Sequence, residues 1–285
     1  VSVLSRRILA GLGTLLAAGC SPTTVLNALS AREGVLTTTD LAYAEGDRHG
    51  VDVYAPAGAQ DAPTILFLYG GSWNSGERGM YRFLGATLAQ AGVVVIVPDY
   101  RVYPEVRFPA FMTDAARAVA WAHRHAARHG GAPDRLVVMG HSAGAQMATL
   151  LALDPAYLAA EGLAPNAALR GVVGLAGPYD FLPLRSRSLQ AVFGAPSEWP
   201  ASQPVNFVTP GAPRMLLATG DDDTIVLPRN TAALADKLRA SGNAVETITY
   251  PGVGHLEIMG AFAAPLRFLA PVRADVLRFV TEATA

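Results

Sequence analysis

A short apolar run, residues 136–139, passes directly into Gly140-His141-Ser142-Ala143-Gly144, and a small-residue, helix-forming stretch follows as far as Leu153. A strand that turns through G-x-S-x-G into a helix has little latitude. The positions two residues either side of the serine must lack side chains, and the strained backbone lifts the hydroxyl clear at the helix N-terminus. The rest of the chain must then supply a sheet for that strand and helices to cover it. From about residue 39 it does so: β-rich runs at 41–44, 51–54, 64–69, 93–97, 135–139, 171–175, 214–219 and 245–250 alternate with helical patterns. This order predicts an α/β fold with one mostly parallel, eight-stranded sheet and helices on both faces.

Between the strands, Phe108, Phe111, Met112, Ala115, Val119 and Ala122 recur at helical spacing, with Asp114, Arg117, Arg124 and Arg128 on other faces. Residues 228–241 read as a second helix ended by Gly242, whereas 262–285 contains Pro265 and Pro271 and must bend or restart. The segment 177–213 lacks clear periodicity and is rich in Pro, Ser and aromatics. It follows a strand at the place where an α/β fold builds its site, and is expected to form a small cap over a pocket.

The length, 285 residues, fits one large α/β domain, and 51% apolar against 16% charged residues excludes a mainly disordered chain. With 22 Lys+Arg against 23 Asp+Glu there is no basic excess to neutralise a phosphate backbone, so nucleic acid is not an expected partner. The single cysteine, Cys20, excludes an intramolecular disulfide and a multi-cysteine metal site. It closes an N-terminal pattern in which Arg6 and Arg7 precede an apolar stretch, 8–18, too short for a permanent membrane helix. Leu16-Ala17-Ala18-Gly19-Cys20 resembles the bacterial lipobox, and Ser5-Arg6-Arg7 also resembles a twin-arginine signal. The expected organisation is a lipoprotein-type signal over 1–19, a tether over 20–38 lipidated at Cys20, and a catalytic domain over 39–285. That implies an exported, membrane-anchored bacterial lipoprotein of the cell envelope.

A serine hydroxyl is inert near neutral pH unless a base takes its proton, and in an elbow fold the base follows the nucleophile in chain order. Of six histidines only His255 lies beyond Ser142 and its neighbour His141, in Gly252-Val253-Gly254-His255 just after the last strand. The others read as solvated helix-face residues, and His141 as packing beside the elbow. The third member should be a carboxylate at a strand end between Ser142 and His255. Gly220-Asp221-Asp222-Asp223 follows the strand 214–219, so it is one of three aspartates. Oxyanion donors are expected from Tyr69-Gly70-Gly71-Ser72-Trp73, where the glycine pair frees the amides of Gly71 and Ser72, joined by that of Ala143.

Over roughly residues 40–280 the chain resembles the α/β-hydrolase esterase/lipase group that includes hormone-sensitive-lipase-like carboxylesterases and arylformamidases. Pro98-Asp99-Tyr100-Arg101, Phe108-Pro109-Ala110 and Asp134-Arg135 are similar to family segments with structural roles. The family's H-G-G-G-W loop appears with Tyr69 in place of His and Ser72 in place of the third Gly. Its acid loop resembles G-x-x-D-x-x-V, which Gly220, Asp223 and Val226 match, and this selects Asp223. The resemblance implies a metal-free, cofactor-free carboxylic-ester hydrolase working through Ser142, His255, Asp223 and an acyl-enzyme. Short-chain esters are expected substrates because the cap is small, with Trp73, Tyr179 and Phe181 lining the pocket. Arylformamidase or other amidase activity would use the same triad. Polyester or feruloyl esters, or a non-catalytic surface lipoprotein, are further alternatives.

Overall fold

The computed structural model describes residues 22–28, 30 and 33–285. The expected signal segment and Cys20 lie outside the described residues. Eight strands form one sheet: β1 (Val35–Ala42), β2 (Gly50–Pro56), β3 (Ala62–Leu68), β4 (Val94–Pro98), β5 (Gly131–His141), β6 (Gly171–Leu175), β7 (Met215–Gly220) and β8 (Val245–Tyr250). Their spatial order is β1-β2-β4-β3-β5-β6-β7-β8. β1 and β2 pair antiparallel with their neighbours at one edge, and every pairing from β4 to β8 is parallel. Strands β4, β6 and β7 are buried at every position. This burial on both faces is why they read as continuous Val/Leu/Ile runs rather than alternating ones.

The periodic segment around residue 115 is the helix Ala110–His125, which packs on the helix Ala143–Leu153. Asp114, expected away from the apolar face of it, is wholly buried. It accepts bonds from the Arg101 guanidinium at 2.7 and 2.9 Å and lies 3.1 Å from His49 Nε2. His49 is therefore a buried partner and not the solvated residue expected. Burial works against the Asp114 charge, but the Arg101 and His49 bonds outweigh it and hold the carboxyl below its usual range. A helix pattern marks which positions face inward, yet it cannot reveal that a buried acid has found its partners.

Helix Arg229–Ala240 falls where expected, and the C-terminal segment restarts after Pro271 as the helix Val272–Ala283. The tether expected over 20–38 is partly folded. Pro22–Ala28 is a helix with Val25 and Leu26 buried, Asn27 Nδ2 donates to the Gly79 carbonyl, and Asn27 Oδ1 accepts from Phe83 N–H. Strand β1 begins at Val35, earlier than the expected 41, because pairing with β2 continues along an exposed edge that carries no apolar signal.

Candidate active site

β5 lies between β3 and β6, so its C-terminal end opens at the middle of the sheet. Ser142 follows at φ 54°, ψ −123°, and the helix Ala143–Leu153 starts at the next residue. For a residue with a Cβ this left-handed turn costs on the order of 1–3 kcal/mol. It is held by the Ser142 N–H bond to the Leu175 carbonyl, 2.9 Å, and by Ala145 and Gln146 N–H groups donating to the Ser142 carbonyl. Both flanking glycines are needed for space. A Cβ on Gly140 would stand 2.1 Å from the Gly144 carbonyl oxygen, and one on Gly144 would stand 2.0 Å from that of Leu68.

The loops after β7 and β8 converge on this serine. His255 Nε2 lies 2.9 Å from Ser142 Oγ, and His255 Nδ1 lies 2.7 Å from Asp223 Oδ2. A carboxylate can only accept, so Nδ1 carries the proton and Nε2 presents a lone pair to the serine hydroxyl. Among the three candidate aspartates, Asp223 is the one that reaches the imidazole. It is 2% exposed, and its other oxygen accepts from the N–H groups of Ile225 and Val226 at 2.9 and 2.8 Å. Asp221 is turned outward and accepts from Gly252 N–H, and Asp222 is exposed. His141 is buried beside the elbow, 3.0 Å from the His255 carbonyl. Burial, with the nearby His255, pushes its pKa down to about 3, so the ring is neutral near pH 7.

The loop after β3 runs past the same hydroxyl, close enough that a Cβ on Gly70 would fall 2.9 Å from Ser142 Cβ. Gly71, Ser72 and Trp73 all have positive φ, at 136°, 50° and 57°. No hydrogen bond among the described residues uses the N–H of Gly71, Ser72 or Ala143 as donor. The loop is nevertheless anchored. Tyr69, in the position where the resembled family has His, donates its hydroxyl to Asp99 Oδ1 at 2.9 Å and accepts from Arg48. Tyr100 donates to the Tyr69 carbonyl at 2.6 Å, and Asp99 is paired with Arg78. Trp73 Nε1 donates to Gln146 Oε1, while Gln146 Nε2 donates to the Ser202 carbonyl, so one buried amide joins loop, nucleophile helix and the 177–213 segment.

A pocket of about 280 Å³ opens at Ser142. Trp73 and Phe181 line it as expected, stacked on each other with centroids 5.8 Å apart. Tyr179 does not. It is fully buried beneath the pocket, its ring lying where a Cβ on Gly174 or Gly177 would have to go. Glycines at those positions leave room that the tyrosine fills from below, and sequence alone could not show which way it points.

Several lining residues escaped the sequence reading. Leu184, Arg185 and Leu189 come from the 177–213 segment, and Ile225, Val226, Leu227 and Arg229 from the stretch after the acid loop. In the sequence Val226 matches only the acid-loop pattern, and Arg229 falls inside the helix expected over 228–241. Asn230 also went unnoticed. It is buried at that helix start, its Oδ1 accepts from Tyr179 and Asp180 N–H, and its Nδ2 donates to the Leu227 carbonyl, which fixes the two walls together. The available signal was a polar side chain on the inward face of an amphipathic helix. Among the described residues no group of His, Cys, Asp and Glu is placed to hold a metal ion, and no helix is long and apolar enough to cross a membrane.

Comparison with known proteins gives a consistent picture. The BD-FAE family model matches residues 51–238. The chain is 29% identical over 238 residues to the probable isoprenylcysteine alpha-carbonyl methylesterase ICMEL1 of Oryza sativa subsp. japonica, covering 76% of this chain and 56% of that protein. It is 30% identical over 212 residues to esterase LipC of Mycobacterium tuberculosis, covering 68% and 53%. The chain thus spans about half the length of the curated relatives it matches. Among solved structures, a truncated carbohydrate esterase from gut microbiota superposes with TM-score 0.77 at 23% identity, covering 90% of this chain and 99% of that one. Esterase B of Lactobacillus rhamnosis superposes with TM-score 0.79 at 19% identity, covering 98% and 96%. At such identities the likeness establishes the fold, which is that of the α/β-hydrolases.

Proposed function

The chain belongs to the BD-FAE family, matched over residues 51–238, and from that premise we propose that it hydrolyses carboxylic esters with Ser142 as nucleophile. The observation that carries the reading is the continuous chain Ser142 Oγ, His255 Nε2, His255 Nδ1, Asp223 Oδ2, with links of 2.9 and 2.7 Å. In this reading His255 takes the hydroxyl proton as Ser142 attacks the ester carbonyl. Asp223 holds the imidazole in the required tautomer and offsets its developing charge. The tetrahedral oxyanion is met by the uncommitted N–H groups of Gly71, Ser72 and Ala143. Collapse expels the alcohol, which takes the proton from His255, and leaves an acyl-serine. Water, deprotonated by His255, then attacks the acyl group, and the acid is released as Ser142 recovers its proton.

The same proposal assigns short acyl groups to the site, supported by a pocket of about 280 Å³ whose apolar walls are Trp73, Phe181, Leu184 and Leu189. Segment 177–213 serves as its cap. The lipobox-like sequence ending at Cys20 supports a lipid anchor, tested by mass spectrometry of the mature N-terminus. The function is tested with 4-nitrophenyl butyrate and a fluorophosphonate probe on the wild-type and Ser142→Ala proteins. The reading expects turnover and labelling in the first and neither in the second, and an inert wild-type protein overturns it.

A further inference from the structure

We propose that the substrate of this pocket carries an anionic group, a carboxylate being the simplest, held by Arg185 and Arg229; the proposal rests on the ester-hydrolase reading of the same site. Both side chains line the pocket that opens at Ser142, Arg185 from the 177–213 segment and Arg229 from the first position of the helix Arg229–Ala240. Neither takes part in a hydrogen bond or ion pair among the described residues. The arginines that brace the surrounding loops behave differently. Arg78 is held by Asp40, Asp52 and Asp99, Arg101 by Asp114, and Arg48 by the Tyr69 hydroxyl and the Tyr100 and Gly76 carbonyls.

Both arginines are exposed at the rim of the pocket, where solvent or a ligand can reach them. They are like charges on one small pocket, and Arg229 sits at a helix N-terminus, where the backbone dipole works against a cation and the first turn has no acid to offset it. No Asp or Glu lines the pocket. Asp223, behind it, is committed to His255 and to the Ile225 and Val226 amides. Asp180, Asp221 and Asp222 are exposed, and none is paired with either arginine. What remains is a cavity with apolar walls, a nucleophile, and two planar donor forks at its rim that no acceptor among the described residues engages. A guanidinium presents paired N–H groups matched to a carboxylate, and two of them at one mouth would hold an anionic ester more firmly than a neutral one of the same shape.

The test compares a carboxylate with its methyl ester on otherwise identical substrates, each rate divided by that of uncatalysed hydrolysis, at pH 7.5 and low ionic strength. On the acyl side these are mono-4-nitrophenyl adipate and its methyl ester; on the alcohol side, 4-carboxyphenyl butyrate and 4-(methoxycarbonyl)phenyl butyrate. In at least one pair the anionic member is expected to have roughly tenfold higher kcat/KM, through a lower KM, with the advantage shrinking as salt is raised. Arg185→Gln combined with Arg229→Gln should erase that ratio, whereas Arg187→Gln, outside the pocket lining, should leave it intact. In parallel, the Ser142→Ala protein is titrated calorimetrically with methyl hydrogen adipate and with dimethyl adipate. Tighter binding of the anion supports the proposal even if the protein proves not to hydrolyse esters. Equal kcat/KM within both pairs, an advantage that survives the double substitution, or equal binding by Ser142→Ala overturns it while leaving ester hydrolysis itself standing.

Discussion

His141 donates its Nε2–H to the carbonyl oxygen of His255 across 3.0 Å, so the residue beside the nucleophile ties down the backbone of the base. The carbonyl can only accept, which fixes the proton on Nε2 and leaves Nδ1 without a hydrogen-bond partner. The ring has to be neutral to sit there.

That requirement predicts an acid sensitivity. Burial, then the charge of His255, lowers the His141 pKa from 6.5 to about 3, so below pH 6.5 the unfolded chain binds a proton that the folded chain refuses. Stability from this group is complete above about pH 6.5 and is lost as pH falls towards 3, amounting to roughly 2 kcal/mol at pH 5. Denaturant midpoints measured from pH 7 to 4.5 should fall, and His141→Gln should reduce the slope. An unchanged slope would mean that the imidazole protonates in place.

Replacing Ser142 by Ala should abolish ester hydrolysis and fluorophosphonate labelling. The melting temperature should stay within a few degrees, because among the described residues the hydroxyl bonds only to His255. Residual labelling elsewhere on the chain would point to a different nucleophile.

The aspartate turn gives a graded expectation. Asp223→Asn loses the acceptor that selects the Nδ1–H tautomer and should lower turnover by about 10³ to 10⁴. Asp221→Asn and Asp222→Asn touch neither imidazole nor serine and should each cost about tenfold or less. Steady-state kinetics on one activated ester decides, and a crippled Asp222→Asn enzyme with a mild Asp223→Asn would reverse the assignment.

Gly140→Ala and Gly144→Ala should fail through folding and not through chemistry. Each added methyl meets a carbonyl oxygen at 2.1 or 2.0 Å, and the main chain on both sides is fixed by the sheet and helix. Soluble yield should collapse in both, whereas Gly79→Ser, with open space around it and no positive φ, should express normally. Well-folded Gly144→Ala protein, judged by circular dichroism, would show that the loop after β3 can retreat.

Chain-length preference is measurable in one series. With a pocket of about 280 Å³ lined by Trp73 and Phe181, kcat/KM for 4-nitrophenyl esters should be highest between about two and six acyl carbons and should fall for longer chains. Faster hydrolysis of the sixteen-carbon ester than of the four-carbon one would overturn the short-chain assignment.

The sheet was legible where its strands are buried on both faces, as the apolar run 171–175 coincides with β6 to the residue, and the half-exposed run 245–250, rich in β-branched residues, coincides with β8. It was illegible at its exposed edge, where β1 takes its order from backbone pairing with β2 and its side chains carry no pattern. The elbow was legible for a similar reason. Gly140 and Gly144 are demanded by contacts made within one short turn and with the adjoining strand, so their spacing writes the geometry into the chain. What sequence determined by itself is thus local: where the backbone must turn, which runs are inside, and that His255 alone follows the serine's own neighbour. Tertiary structure decided the rest. Asp223 was selected in the sequence only by resemblance to an acid loop, and the fold supplies the reason, a turn that points its carboxylate inward and that of Asp221 out; the fold also buried Asp114 between Arg101 and His49. It also put Tyr179 under the pocket instead of in it, and brought Arg185 and Arg229 together across 44 positions of chain. Side-chain direction and long-range juxtaposition depend on how separate loops meet above the sheet, and no spacing along the chain encodes that meeting.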